Sequence, residues 1–309
     1  MVRTRGLMAA AGTLALASLA LAACSSGNPL DTSSSAAGGS SSGSSVVVGS
    51  AAFPENEILA YVYADALNQN GIKATVKPNI GQRDAYIAAL KDGSIDLVPE
   101  YTGNLLQYFD AKATAQSSDD VYNALKTAVP SGYGVLAKAE AQDADSYNVT
   151  KAFSDQYGVK SLDDLKKVTI PLKVAANPEF QTRPYGIPGL KSEYGVTATL
   201  VPISDGGGPN TVKALTGGDV QLADIYSTTP AIKSENLVTL SDPKNMILAQ
   251  NVVPLISDKA ATDKVKAVLE KVQAALTTDD LIQMNTKSSV DKESADQIAK
   301  EWLKSKSLF

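Results

Sequence analysis

The second half of this chain echoes its first half at an offset of 124 to 125 residues. Leu90-Lys91-Asp92-Gly93-Ser94-Ile95-Asp96-Leu97-Val98-Pro99-Glu100-Tyr101-Thr102 reads against Leu215-Thr216-Gly217-Gly218-Asp219-Val220-Gln221-Leu222-Ala223-Asp224-Ile225-Tyr226-Ser227. Leu, Gly, a β-branched residue, Leu, Tyr and a hydroxyl stay in step. Upstream, Gly71-Ile72-Lys73-Ala74-Thr75-Val76-Lys77-Pro78 reads against Gly195-Val196-Thr197-Ala198-Thr199-Leu200-Val201-Pro202. Two equivalent halves predict two similar lobes facing each other. A cleft between such lobes is a place to hold a small molecule. The echo makes Tyr101 and Tyr226 symmetry mates, each at the end of a strand.

Hydrophobic periodicity fills in the halves. The first predicts strands at 46–50, 72–76 and 95–98, with helices at 54–70 and 81–90 between them. The second repeats the order, with strands at 172–175, 197–201 and 220–225 and helices near 190–194 and 209–215. Strand–helix–strand alternation implies a parallel sheet with right-handed crossovers. Between the halves, 117–129 reads as a helix, and Ser161-Leu162-Asp163-Asp164 carries a capping pattern for another. Strands are expected at 237–240 and 251–256, and then a helical tail at 263–276, 279–285 and 291–303. Trp302 and Phe309 in that tail are expected to pack on a lobe. In open α/β sheets ligands sit beyond the carboxyl ends of strands. That rule points to the loops at 50–55, 79–83, 100–104, 177–184, 204–210 and 226–229.

The residue inventory excludes most catalysis. There is no histidine and one cysteine, Cys24. Histidine-based acid/base or nucleophilic schemes, most zinc sites and intramolecular disulfides are therefore closed. Gly206-Gly207-Gly208 lacks the spacing of a dinucleotide or phosphate loop. No enzyme, cofactor or metal is expected. Asp143 and Asp145 are the one suggestive acid pair for an enzyme on the same scaffold, and adjacent loop carboxylates are usually solvated.

The N-terminus bears on location. Arg3 and Arg5 precede an apolar stretch from Leu7 to Ala23, which is too short and alanine-rich for a membrane span. Leu21-Ala22-Ala23-Cys24 resembles the lipobox of bacterial lipoproteins, so 1–23 is expected to be a cleaved signal peptide and Cys24 the lipidated residue. The Ser/Gly-rich stretch through Ser45 cannot bury enough apolar surface to fold. It would serve as a tether reaching about 25 Å, on a scale of roughly 5–6 Å times the square root of its length. Loss of Arg3 and Arg5 takes the formal net charge from −5 to −7. A mildly acidic chain without a basic cluster argues against nucleic-acid binding.

Several motifs then carry a family resemblance. Gly49-Ser50-x-x-Phe53-x-Glu55, Gly93-x-Ile95-Asp96-x-x-Pro99-Glu100-Tyr101-Thr102-Gly103, Arg183-Pro184-x-Gly186-x-Pro188-Gly189-Leu190 and Tyr226-Ser227-Thr228 fall in order along 46–309. They resemble the substrate-binding proteins of ABC importers for glycine betaine, choline and related osmoprotectants. The resemblance implies a two-lobed α/β fold of the periplasmic-binding-protein type. Lobe 1 would comprise 46–143 plus 248–309 and lobe 2 would comprise 144–247, with hinges near 142–146 and 247–251. It implies a monomer, lipid-anchored at Cys24 on the outer face of a Gram-positive or actinobacterial membrane, that delivers a small molecule to a permease with a cytoplasmic ATPase. A sensor or adhesion lipoprotein that binds another protein would instead lack neighbouring permease and ATPase genes.

By resemblance, Tyr101 and Tyr226 wall an aromatic box and Arg183 grips a ligand carboxylate, with Ser50 and Phe53 on the first loop. The chain departs from the family pattern elsewhere. Ala51 and Ala52 stand where a lysine often follows Gly-Ser, Asn104 closes the Tyr-Thr-Gly box, Gln142-Asp143-Ala144-Asp145 replaces an Asn-Asn-Thr-Tyr crossover, and Leu248-Ala249-Gln250 replaces a Pro-Pro-Tyr. Two aromatics and a lysine are thus missing. Asn104, Gln142, Asp143, Asp145 and Gln250 would offer hydrogen-bonding groups instead. Such a cleft could serve the same import role for a polyol or hydroxylated aromatic, unless Tyr185, which flanks Arg183, completes the box.

Overall fold

The computed structural model describes residues 45–309. The expected signal peptide, Cys24 and all of the tether but Ser45 lie outside them. Ten strands form two sheets among the described residues. The first sheet contains β1 (Val46–Gly49), β2 (Ala74–Lys77), β3 (Leu97–Tyr101), β4 (Tyr133–Val135) and β10 (Val252–Ser257). Their order is β2-β1-β3-β10-β4. The second contains β5 (Tyr147–Thr150), β6 (Leu172–Ala176), β7 (Ala198–Pro202), β8 (Leu222–Asp224) and β9 (Leu237–Thr239), in the order β7-β6-β8-β5-β9. The echo in the sequence is therefore an echo in the sheets, with β1, β2 and β3 matching β6, β7 and β8. Each trio is parallel.

The other two strands of each sheet are antiparallel, and here the fold differs from the repeat pattern. β10 runs antiparallel between β3 and β4, and β5 between β8 and β9. The sequence predicts β10 and β9 closely but gives no sign of β4 or β5. Tyr-Gly-Val and Tyr-Asn-Val-Thr are too short and too polar to show alternation.

Helices flank both sheets. In the first lobe, α1 (Pro54–Gln69) has proline in its first turn and Glu55 and Glu57 at the positive end of its dipole. α2 (Arg83–Lys91) follows β2, and α3 (Thr102–Phe109) starts directly at the end of β3. The sequence does not announce α3 because no side chain caps it; Thr102 spends its hydroxyl elsewhere. α4 (Ser118–Ala128) lies within the helix predicted at 117–129 and is capped by Ser117. In the second lobe α5 (Lys151–Tyr157), α6 (Ile187–Tyr194), α7 (Pro209–Thr216) and α8 (Ala231–Ser234) connect the strands. The tail returns to the first lobe as α9 (Asp263–Ala275), α10 (Thr278–Thr286) and α11 (Ala295–Lys306), with a π-turn at Lys287–Asp291. Thr277 caps α10 through a reciprocal pair with Asp280. Trp302 packs into the first-lobe core, whereas Phe309 remains 40% exposed.

Buried polar ties lock these layers. The Tyr63 hydroxyl on α1 donates to Gln273 Oε1 on α9 (3.0 Å), and Gln273 Nε2 donates to the Val252 carbonyl on β10 (2.8 Å). The chain crosses between sheets twice, and the crossings lie side by side. Gln142 pairs antiparallel with Asn251, and the Asp143 N–H donates to the Gln250 carbonyl at 3.1 Å. The Thr102 hydroxyl donates to the Ala249 carbonyl (2.9 Å) and accepts the Asn251 N–H (3.0 Å).

Gly103 explains the end of the Pro-Glu-Tyr-Thr-Gly box. A Cβ there would stand 2.8 Å from the Ala249 carbonyl and 2.7 Å from both Leu248 Cβ and Gln250 Nε2. Backbone cannot yield as a flexible side chain can, so the return crossing would be pushed off α3. Gly103→Ala should cost about 1–3 kcal/mol, the usual range for overpacking, read as a lower urea midpoint at unchanged slope.

Candidate functional site

A cavity of about 60 Å³ opens between the lobes, at the carboxyl ends of the parallel strands. Residues after β1, β3, β6 and β8 meet there with α2 and the first crossing. It holds Tyr101, Tyr226, Arg183, Asn104, Asp143, Asp145 and Phe53 together. Each was a candidate from sequence.

The rings of Phe53, Tyr101 and Tyr226 form one wall. Phe53, which precedes α1, lies between the two echo tyrosines, 6.1 Å from Tyr101 and 5.3 Å edge-on from Tyr226. The Tyr101 hydroxyl donates to Glu55 Oε1 (2.7 Å), and the Tyr226 oxygen accepts from Asn177 Nδ2 (3.1 Å). Phe180 and Tyr185, packed edge to face at 5.9 Å, also line the cavity. Tyr185 thus sits where it can supply an aromatic face, and Phe180 adds one that the sequence reading missed. A larger compartment of about 470 Å³ adjoins behind Phe53 and Tyr226.

The glycine run serves close approach. Gly206 and Gly207 adopt φ of +64° and +73°, and a Cβ on Gly207 would meet the Ile225 backbone at 2.9 Å. This lets the loop lie against the end of β8, where Asp205 then accepts the N–H groups of Gly208, Asn210 and Thr211 at the start of α7.

Three of the sequence candidates fall off the cavity wall. Ser50 is buried and ties two loops, donating to the Ala51 carbonyl and accepting the Asn79 N–H. Gln250 is fully buried behind Asn104; its Oε1 accepts the Asn104 N–H and its Nε2 donates to Asn104 Oδ1. Gln142 is exposed and gives its N–H to Thr278. Gln250 acts at one remove, because it orients Asn104, whose Nδ2 donates to Asp145 Oδ2 at 2.6 Å.

Charge dominates the rest of the site. Arg83 makes a bidentate pair with Glu100 (2.8 and 3.0 Å), and Glu100 also accepts the Tyr86 hydroxyl and the Tyr101 N–H. Arg183 has no carboxylate partner among the described residues, and its guanidinium lies 5.7 Å from the Tyr108 ring centre. Asp143, Asp145, Glu179 and Asp224 all line the cavity. Burial pushes the Asp224 carboxyl well above the usual range, and Asp145 beside it adds to the shift. Burial, then the Glu55 charge, raises Asp143 likewise. Glu55 is raised by burial, although it accepts hydrogen bonds from Thr228, Tyr101 and Asn285. Asp224 is readable in retrospect: a carboxylate two residues before the echo tyrosine, inside an otherwise apolar strand. Arg83 and Glu179 carry no such mark. Among the described residues no group of His, Cys, Asp and Glu is arranged to hold a metal ion.

Two α/β lobes facing across a cleft of strand ends and crossings define a two-lobed solute-binding protein of the periplasmic type. Residues 44–305 match the family described as the substrate binding domain of an ABC-type glycine betaine transport system, and the chain belongs to that family. The glycine betaine-binding protein YehZ of Escherichia coli is 26% identical over 84% of this chain and 90% of its own length. A glycine-betaine-binding protein of Pseudomonas aeruginosa is 23% identical over 85% and 88%. The crystal structure of a glycine betaine/carnitine/choline ABC transporter superposes with a TM-score of 0.68 at 19% identity, covering 85% of this chain and 99% of the other.

Two variants test this electrostatic frame. Arg83→Leu should destabilise the fold by about 3–5 kcal/mol, because it strands a buried carboxylate, and adding Glu100→Leu should recover much of the loss in urea titrations. Asp224 holds its proton in the native state at pH values where an unfolded Asp, near 3.9, has lost it. Its contribution to stability is complete below that pH and fades as pH rises through the native value. Ligand-free Asp224→Asn should therefore melt above wild type at pH 7.5, with the gain shrinking toward pH 5.

Proposed function

We propose that this chain is the extracytoplasmic receptor of an ABC importer and captures a quaternary amine between its lobes for delivery to the permease. The observation that carries the reading is the meeting of Phe53, Tyr101 and Tyr226 with buried carboxyl groups in one interlobe cavity. A quaternary ammonium cannot donate hydrogen bonds, so it is held by ring faces and by charge. Each ring contributes about 0.5–2 kcal/mol. Family membership and the ligands named for YehZ and its Pseudomonas counterpart support this reading and not the polyol alternative.

In this proposal the lobes divide at 143/144 and 247/248, and the paired crossings at Gln142 and Asn251 form the hinge. The protein acts as a monomer, with Cys24 as its lipid anchor and 25–45 as the tether to a Gram-positive type of membrane. It turns nothing over. The family is one of transporter binding domains, and the cavity groups are arranged to hold a ligand.

Calorimetric titration with glycine betaine and with choline tests the reading. At least one should bind with lobe closure, visible as a smaller radius in solution scattering. Tyr226→Leu keeps bulk and removes the ring, so it should weaken binding by about 2- to 30-fold, the equivalent of one cation–π contact. No heat and no thermal shift with any quaternary amine would sink the proposal.

A further inference from the structure

The described residues contain two arginines, Arg83 and Arg183, and both line the cavity. Glu100 already takes the charge of Arg83. Arg183 alone then faces four carboxyl groups, Asp143, Asp145, Glu179 and Asp224, and Glu55 lies just behind Tyr101. The wall thus carries more acid than its own cations can match.

The acids are also incompletely bonded. Asp145 is 7% exposed; Asn104 donates to its Oδ2, and no N–H or hydroxyl among the described residues reaches Oδ1. Asp224 is 2% exposed; its Oδ1 accepts the Ser146 N–H, and Oδ2 has no such donor. The two carboxyls lie within hydrogen-bonding reach of each other. Tyr185, 5% exposed, lines the same cavity, and its phenol has no partner among the described residues. Buried polar groups are normally paired, so these open positions mark where a ligand completes the site.

We propose that Asp145 and Asp224 make this cleft select ligands of net positive charge over zwitterions that carry the same ammonium head. The inference rests on the quaternary-amine reading above and deepens it. Choline and glycine betaine share a trimethylammonium group and differ in the other end, a hydroxymethyl against a carboxylate. The betaine carboxylate would enter a wall already rich in carboxyls, with Arg183 as its sole unpaired cation. The choline hydroxyl brings no charge and can meet both an unfilled Asp145 oxygen and the Tyr185 phenol.

Proton release is a second consequence. Without a ligand Asp224 needs its proton, because it is buried and Asp145 lies beside it. The surrounding charges do not remove that need. Glu55 from α1 and Glu179 from the turn after β6 add negative charge, and Arg83 from α2 is taken by Glu100 of β3. Arg183 makes no ion pair among the described residues, and Glu179 Oε2 is buried without a partner. The phenols of Tyr86, Tyr101, Tyr147, Tyr185 and Tyr226 stay neutral, since burial raises each of them. A bound cation favours the ionised form of Asp224 and so expels its proton.

The experiment is calorimetry of choline and glycine betaine at pH 7, in buffers of different ionisation enthalpy, with wild type, Asp145→Asn and Asp224→Asn, each checked for a cooperative melt. Wild type should bind choline at least tenfold tighter than glycine betaine and release protons on choline binding. Each Asn variant should narrow that ratio mainly by weakening choline, and Asp224→Asn should release fewer protons. Glycine betaine binding as tightly as choline, or a ratio unchanged in both variants, overturns the selection while leaving the receptor reading intact. Binding of neither ligand by wild type overturns the receptor reading and the selection with it.

Discussion

The cleft depends on the side chain of Asn251. Its Nδ2 donates to the Ala139 carbonyl, its Oδ1 accepts the Ser118 hydroxyl, and its backbone pairs with Gln142 and Thr102. One buried residue thus fastens, through side chain and backbone together, the two crossings to each other, to the start of α4 and to the end of β3. The strand ends that carry Tyr101 and Asp224 face one another because these crossings are held in register. A polar tie suits this place better than an apolar contact. Hydrogen bonds fix direction as well as proximity, and the crossings must leave the sheets at a defined angle.

Around this frame the fold sorts its charges into two kinds. Glu100 is fully answered, by Arg83, Tyr86 and the Tyr101 amide, and holds α2 against β3. The other acids of the cavity are left partly open. Desolvated, unmatched charge is costly, and a protein keeps it where an incoming group supplies the match. The structural pair and the open cluster share one cavity, so their roles are separated by bonding rather than by location.

Much of this was legible in the sequence, and the rest was hidden for identifiable reasons. The largely buried parallel strands β1, β3, β6 and β8 announced themselves as short apolar runs, whereas β2 and β7 edge the two sheets and stay partly exposed. Tyr101 and Tyr226 stood out because the echo put them in step. α3 carried no cap to advertise it, and β4 and β5 were too short to alternate. Polar residues at the crossings and in the loop after β1 were harder to assign. Ser50 and Gln250 read as ligand contacts, yet they bond to backbone and to Asn104; only the folded arrangement distinguishes a tie from a lining group. The aromatics missing from the family pattern also misled, because Phe180 and Tyr185 bring rings to the cavity from a loop far along the chain.

The exchange of strands between the halves has a consequence for biosynthesis. The second sheet is built from one continuous stretch, Tyr147 to Thr239, and can close as soon as that stretch is available. The first cannot. β4 pairs only with β10, and α1 packs on α11 at the far end of the chain. The lobe that begins first is therefore finished last, and nearly the whole polypeptide must be present before its core can form. A chain that emerges end-first through a narrow channel stays loose in this half until its closing residues arrive, which keeps it threadable for as long as threading lasts.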